Sequence, residues 1–385
     1  MNFAFAEEQE RFRGVIKNFF QSDEVQQVLK EIKETGEEVD PRKLYRIMGE
    51  QGFLAVNWPI EYGGQGKTMV ESAIVAEEMS RNGIPESLHV ISIQIVGMLL
   101  LKVATEKQKQ LLLPPMAKGE AYACVLYTEP SAGSDLGGLK TRAELDQDGY
   151  YRIYGEKVYN MKTHLCDYGL CAARTTTRGT KYDGITLFMV PLKSEGVSLT
   201  KIDSLADESF YKVTLNGVRV SPEMIIGEVD NGWPVINKML AIERTGLDYY
   251  IRAERWYHMI LQNAYQNGLV RSDSVLIELA KLGSKLDAAR FLTYKSIEQM
   301  EDRGHVDESL AAISKWYCSE LACEIIWKGL EVRGIGACLG DSHGYPEVYG
   351  SLEAAYREAP GLTISAGTSE MMLETLTKIK LTPNK

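Results

Sequence analysis

The chain has no run of basic residues: its 385 residues include 43 Lys and Arg against 53 Asp and Glu, for a formal net charge of −10. A surface of that sign repels a phosphate backbone, so no nucleic-acid partner is expected. Clustered metal ligands are lacking too. The five histidines (His89, His164, His258, His305, His343) are scattered, and none sits at ligand spacing from another or from a cysteine cluster, so no metal site is expected. The six cysteines (Cys124, Cys166, Cys171, Cys318, Cys323, Cys338) show no CxxC spacing and read as reduced, mostly buried thiols. Long apolar runs are missing as well. The stretch from Val90 to Leu101 is too short and too interrupted to span a bilayer, so no membrane association is expected. MNFAFAEEQERF at the start is acidic where a leader would be basic, which points to a cytoplasmic protein. No internal repeat is visible.

What is present is an ordinary globular composition, 44% hydrophobic and 25% charged, in a chain longer than one core usually holds. The hydrophobic period changes twice and so divides the chain into three regions. Residues 1–120 read as helices: Glu7 to Phe20 spaces Phe12, Val15, Ile16 and Phe19 helically, and Pro41 to Gly52 gathers Leu44, Ile47 and Met48. Further helices are expected over Thr68 to Asn82, over Ser87 to Val103, and from a Thr105 cap to Leu113, where Pro114-Pro115 would stop the chain. Residues 121–228 alternate at period two, with strands at Thr141 to Leu145, Tyr151 to Tyr154, Tyr168 to Ala173, Ile185 to Val190, Val197 to Lys201, Lys212 to Leu215 and, past Asn216-Gly217, Val218 to Val220. That spacing predicts a small antiparallel barrel or sandwich. Residues 229–385 return to long helices over Val235 to Asn267, Ser272 to Arg303 and Asp307 to Arg333, enough for a four-helix bundle. The fold class is thus α+β and multidomain, with a helical domain, a β-domain and a helical bundle.

The stretch that organises the rest is Tyr127 to Asn160. TEPSAGSD is rich in turn residues, so its backbone amides are expected to stay outside a ladder, free to cradle an anion or a polar ring edge. A hairpin turning at Asp146-Gln147-Asp148-Gly149 comes next and ends at GEKVYN. In order, TEPSAGSD, GEKVYN and the terminal ISAGTSEMM resemble the acyl-CoA dehydrogenase family of flavoproteins. Pro59 to Gly64 and Glu106 to Glu120 match further landmarks, and the resemblance covers nearly the whole chain.

This resemblance implies FAD as cofactor, held by Val125, Tyr127, Thr128 and Ser134, with Tyr159 as the aromatic that flanks the ring. From the residues alone, Thr128, Ser134 and Tyr159 equally serve to satisfy a loop and fill a surface. Met161 stands where the family commonly has a hydroxyl donor, so its backbone amide, or Thr163, takes over, or the flavin contact is weaker. Across the family's dimer, Arg271 and the turn holding Gly334 and Gly336 match residues that serve the neighbour's pyrophosphate. The QFG that usually accompanies the arginine is replaced by Ser272-Asp273-Ser274, and Glu331 stands where Gln is usual. Thr368 and Glu370 complete the cofactor set. Substrate contacts are implied for Ser134, Arg244 and Gly367.

Desaturating a thioester needs a carboxylate for the α-proton. In many members it precedes the terminal Gly-Thr, where this chain has Ala366; members such as the isovaleryl and long-chain types carry it in a Glu-Arg pair of the C-terminal bundle, here Glu243-Arg244. Glu243 is therefore the expected base. Asp248 and Glu254 read as a solvated helix edge, and His164 as a lesser candidate for proton transfer.

The resemblance implies α,β-dehydrogenation of an acyl thioester, on CoA or on a carrier protein. Electrons would pass to an electron-transfer flavoprotein or similar acceptor, and the assembly would be a homotetramer or a mixed oligomer. The ERTG and ISAGTSE pattern resembles most the subset acting on bulky or cyclic acyl groups such as steroid side chains. A non-catalytic subunit of a mixed oligomer, and a flavin monooxygenase or oxidase on the same fold, stand as alternatives.

Overall fold

A computed structural model describes residues 4–34, 39–334 and 352–380. Helices α1 (Glu7–Phe20), α2 (Asp23–Lys33), α3 (Arg42–Glu50) and α4 (Met69–Arg81) open the chain. Phe12, Ile16 and Phe20 form the buried face of α1, while Val15 faces outward. α2 lies where no helix was expected, and it buries Val25, Val28, Leu29 and Ile32. The next apolar stretch is one continuous rod of mixed winding: α5 (Ser87–His89), a π-helical segment (Val90–Gly97) and α6 (Met98–Val103). α7 (Glu106–Ala117) starts at a Thr105–Gln108 capping box, as its sequence indicates, but runs through Pro114-Pro115 instead of stopping there. Both prolines fall in the last turns. Their carbonyls still accept from Lys118, Glu120 and Ala121, so the helix closes normally.

The β-domain contains β1 (Ala123–Leu126), β2 (Arg142–Leu145), β3 (Tyr151–Met161), β4 (Tyr168–Arg174), β5 (Ile185–Pro191), β6 (Val197–Ile202), β7 (Phe210–Val220) and β8 (Ile225–Ile226). Their order is β6-β7-β3-β2-β4-β5-β8, with β1 paired to β4. Among the described residues the sheet does not close into a barrel, and it is not purely antiparallel, since β1 and β2 both pair with β4 in parallel. The β2–β4 junction rests on one register pair, Arg142 with Arg174. β2 and β3 form the hairpin expected from Asp146 to Gly149. The two short strands expected around Asn216-Gly217 are one strand, β7, because Gly217 at φ 68° absorbs an irregularity in its pairing with β3.

The bundle comprises α8 (Trp233–Glu243), α9 (Leu247–Gln266), α10 (Asp273–Arg303), α11 (Glu308–Arg333), α12 (Leu352–Leu362) and α13 (Ser369–Lys380). The long helix expected over Val235 to Asn267 is broken between α8 and α9. Gly246 sets the break: it has φ 91°, and a Cβ there would lie 2.2 Å from the Ser314 hydroxyl oxygen. The break also separates two apolar cores. Val235, Ile236, Met239 and Ile242 of α8 join the core shared with the N-terminal helices and the sheet. Leu247, Tyr250, Trp256 and Ile260 of α9 belong to the bundle core with α10, α11 and α12.

Candidate active site

The TEPSAGSD loop is held from beneath by charge. The Lys157 ammonium is completely buried and donates to the Tyr127 carbonyl at 3.0 Å and to the Glu129 carboxylate at 2.9 Å. Glu129 also accepts from the N–H groups of Lys140 and Thr141 at 2.6 and 2.8 Å. Burial pushes the Glu129 carboxyl up, but Lys157 and these donors outweigh it and hold it below its ordinary value. The Val158 N–H donates to the Thr128 carbonyl at 2.9 Å, locking β3 to the loop and placing Tyr159 beside it. Tyr159 is 64% exposed at φ 59°, a conformation that costs a bulky residue about 1–2 kcal/mol and directs its ring outward. Among the described residues nothing accepts the N–H of Gly133 or Ser134. The loop therefore presents spare donors and an open aromatic face. Those are the features a flavin's polar rim and apolar plane require, so the residues fit that cofactor.

Met161 ends β3, half-buried. Thr163 does not replace it, because its hydroxyl donates to the Asn160 carbonyl at 3.3 Å. His164 is exposed, with its ring 4.8 Å from that of Tyr211.

Glu243 is the last residue of α8, where the helix macrodipole is negative, and it lines a cavity with Ile242 and Leu247 on either side of the break. Desolvation dominates its titration and, although Arg244 and Lys315 oppose it, the carboxyl is pushed up to about 7. Tyr127 is near enough for Glu243 to act on it electrostatically, and its buried hydroxyl has no hydrogen-bond partner among the described residues. Arg244 turns the other way: its Nε donates to the Ala366 carbonyl at 2.9 Å, and a Cβ on Gly367 would lie 3.0 Å from its Nη2. Ala366 and Gly367 have φ 54° and 104°, so the terminal motif makes a tight left-handed turn against Arg244. The site thus gathers Tyr127, Glu243, Arg244, Ala366 and Gly367.

Other expected residues are occupied or lie elsewhere. Thr368 caps α13, its hydroxyl accepting from Met371 N–H at 3.3 Å, and Glu370 is exposed in the first turn. Arg271 and Gly334 are exposed, and no contact among the described residues joins them to the loop or to Glu243. Gly336 lies outside the described residues, as does Cys338. Glu331 is ion-paired to Lys328 at 2.7 Å on the surface of α11.

Asp248 and Glu254 are not a solvated edge. Asp248 lines the same cavity as Glu243 and pairs with Arg252 at 3.3 Å; Glu254 is 5% exposed and pairs with Arg81 at 2.6 Å. α9 meets α4 along that face and buries it. Arg252 reaches further, to Glu358 and to the Ser87 hydroxyl, which itself donates to Glu208 beside Lys162. A buried charge cluster therefore ties the helical region, the sheet and the bundle together.

Lys315 was not singled out by its pattern. It is fully buried on α11, donates to the Thr363 carbonyl at 3.2 Å and sits 5.2 Å from the centre of the Tyr249 ring. Burial pulls its ammonium down to about 8 despite nearby Glu320 and Glu243. A lysine flanked by Ala311, Ala312, Cys318 and Ser319 on an otherwise small and apolar face was the available signal.

Family models for the acyl-CoA dehydrogenase N-terminal, middle and C-terminal domains match residues 6–120, 124–218 and 230–381 in that order. The chain belongs to the acyl-CoA dehydrogenase family. Its members are flavin-dependent oxidoreductases acting on CH–CH bonds, and FAD-dependent acyl-CoA dehydrogenation is the activity this membership carries. Among family relatives, acyl-CoA dehydrogenase FadE26 of Mycobacterium tuberculosis is 27% identical over 99% of this chain and 98% of its own length. The 3-(aryl)acrylate reductase of Clostridium sporogenes is 28% identical over 95% and 97%. Of solved family structures, the Tcur3481-Tcur3483 steroid ACAD superposes with a TM-score of 0.88 at 26% identity, covering 100% of both chains. The ChsE4-ChsE5 complex from Mycobacterium tuberculosis gives 0.86 at 27%, again over 100% of both. Among the described residues no helix is long and apolar enough to cross a membrane.

Proposed function

We propose that Glu243 is the base of this dehydrogenase. The supporting observation is its position: a carboxyl pushed up to about 7 lines an apolar cavity, while the alternative base position, Ala366, is a methyl group tied to Arg244. A base titrating near neutrality is ionised often enough to act and basic enough to take an acidified proton. In the reaction the α-proton goes to Glu243, the β-hydrogen leaves with its electron pair, and a Cα–Cβ double bond forms. When bound, FAD supplies the hydride acceptor.

Val125, Tyr127, Thr128 and Ser134 of the loop, with Tyr159 and the Met161 backbone, would hold the flavin. Thr368 and Glu370 would add contacts from the terminal motif, and Arg271, Gly334 and Gly336 would serve a neighbouring subunit's cofactor. Arg244 keeps the Ala366-Gly367 turn in place, and with Ser134 and Gly367 it would contact the thioester. A CoA or carrier-protein thioester is the substrate class, a cytoplasmic homo-oligomer the expected assembly, and an electron-transfer flavoprotein the expected acceptor.

The test is the visible spectrum of the purified protein, then anaerobic titration with a panel of acyl-CoAs, for wild type and Glu243→Gln. Wild type is expected to carry flavin absorbance that bleaches with substrate, and the variant to bleach at least about 10³-fold more slowly. A variant that bleaches like wild type removes Glu243 from the mechanism. A colourless wild-type protein overturns the flavin assignment.

A further inference from the structure

The cavity beside Glu243 lies between α4, the π-helical segment, the α8–α9 break and α10. Met69, Ala73, Val90, Ile95 and Ile297 make most of its wall apolar. Gln94 interrupts that wall. Its Nε2 is buried and has no hydrogen-bond acceptor among the described residues. The neighbouring amide of Asn57 is already engaged, donating to the Met98 sulfur at 3.3 Å.

The Gln94 amide is also held in place. It sits within the Val90–Gly97 π-helical segment, a winding that concentrates at functional sites. Three residues on, a Cβ at Gly97 would lie 2.1 Å from the fully buried Trp58 ring, so this part of the rod is seated against tryptophan and cannot rotate freely. A plain hydrocarbon filling the cavity would leave Nε2 a dry, unpaired donor. An oxygen at that point would satisfy it. Glu243 and Asp248 line the same cavity, so an anionic group would be repelled and a neutral oxygen favoured.

On the reading that Glu243 marks the acyl site, we propose that Gln94 is a specificity-determining residue that receives a neutral oxygen acceptor, hydroxyl or keto, carried by the acyl chain beyond its reacting carbons. An acyl group of that kind is made by an oxygen-inserting or hydrating reaction, so this enzyme would act downstream of one.

The test uses the flavin-loaded Glu243→Gln protein, which retains the cavity, and isothermal titration with acyl-CoAs of one length that differ at one distal position: methylene, hydroxyl or keto. The oxygenated chains are expected to bind about 10- to 100-fold more tightly than the methylene chain, and adding Gln94→Met, which keeps the side chain's volume, is expected to remove that preference. The ratio of hydroxyl to keto affinity tells the two oxygens apart. Equal or weaker binding of the oxygenated chains overturns the proposal without any variant, as does a preference that survives in a folded Gln94→Met protein. Failure of every acyl-CoA to bind overturns the acyl-site reading together with it. Whether Glu243 is the base is decided separately by the bleaching experiment.

Discussion

The Arg244 guanidinium donates from Nε to the backbone carbonyl of Ala366 at 2.9 Å. One residue after the carboxylate, the chain is thus fastened to the position where many relatives carry theirs. If Glu243 is the base proposed above, the residue next to it in the chain holds the backbone of the alternative position, where this chain has only a methyl group. Moving the carboxylate should therefore recover function. Glu243→Gln combined with Ala366→Glu is expected to regain at least about tenfold in rate over Glu243→Gln alone, measured as flavin bleaching by an acyl-CoA that wild type oxidises.

The pH profile should report the same carboxyl. With Glu243 titrating at about 7, the fraction of competent base grows through that pH. On the acid side kcat/KM is expected to rise about tenfold per pH unit and to level off above 7. In Glu243→Asp the break is expected to persist at a shifted position, with a lower plateau, when initial rates are taken across pH 5.5 to 9.

Stability should respond in the opposite sense. Glu243 titrates near 4.5 when unfolded and near 7 when folded, so folding favours its protonated form. Below the unfolded value both states are protonated and the carboxyl costs nothing; as pH rises toward 7 that advantage is lost, and above it the fold carries a desolvated charge. Glu243→Gln is expected to be more stable than wild type by about 1–3 kcal/mol at pH 8, a figure reduced for the group's partial exposure, and no more stable near pH 4.5. Thermal unfolding at the two pH values checks this.

The Lys157–Glu129 pair offers a separate test away from the base. Removing one partner leaves the other charge buried and alone, so Lys157→Met is expected to cost about 3–5 kcal/mol in chemical denaturation and to release flavin during gel filtration. Pairing it with Glu129→Gln should restore part of the stability, because no uncompensated charge remains.

Much of the fold was legible because its period is local. The Thr105 cap and the Asp146 to Gly149 turn are short-range signals that appear in the structure, and of the expected α1 stripe Phe12 and Ile16 are buried while Val15 faces outward. Elsewhere, tertiary context outweighs local pattern. Leu240 and Leu247, seven residues apart, keep a helical period across the four non-apolar residues Glu243 to Gly246, so apolar spacing does not mark the α8–α9 break that Ser314 imposes by crowding Gly246. Pro114 and Pro115 read as a stop because their place within the final turns is set by the closing bonds that Lys118, Glu120 and Ala121 make to them.

The site divides along the same line. The resemblance groups Glu243, Arg244 and Ala366, and the structure joins Arg244 to the Ala366 carbonyl across 122 residues. Lys157 and Glu129 stood inside quoted motifs without a role, since charge pairing across 28 residues has no periodic signature. Asp248 and Glu254 looked like a wet helix edge because periodicity cannot say which face another helix will cover. Gln94 is one of two polar letters, with Ser92, in an apolar run; Ser92 is engaged by the Ala123 N–H, and only the unpaired nitrogen of Gln94 distinguishes it.

The break between α8 and α9 falls where one apolar core ends and another begins. Glu243 rides on the first through α8, whereas its chain neighbour Arg244 is moored to the terminal segment that packs with the second. With Glu243 as the proposed base, its place relative to a bound acyl chain depends on how these two cores pack against each other. Substitutions along that seam, remote from any ligand, are expected to alter turnover by shifting one core against the other, much as a worn bearing shifts a tool it never touches.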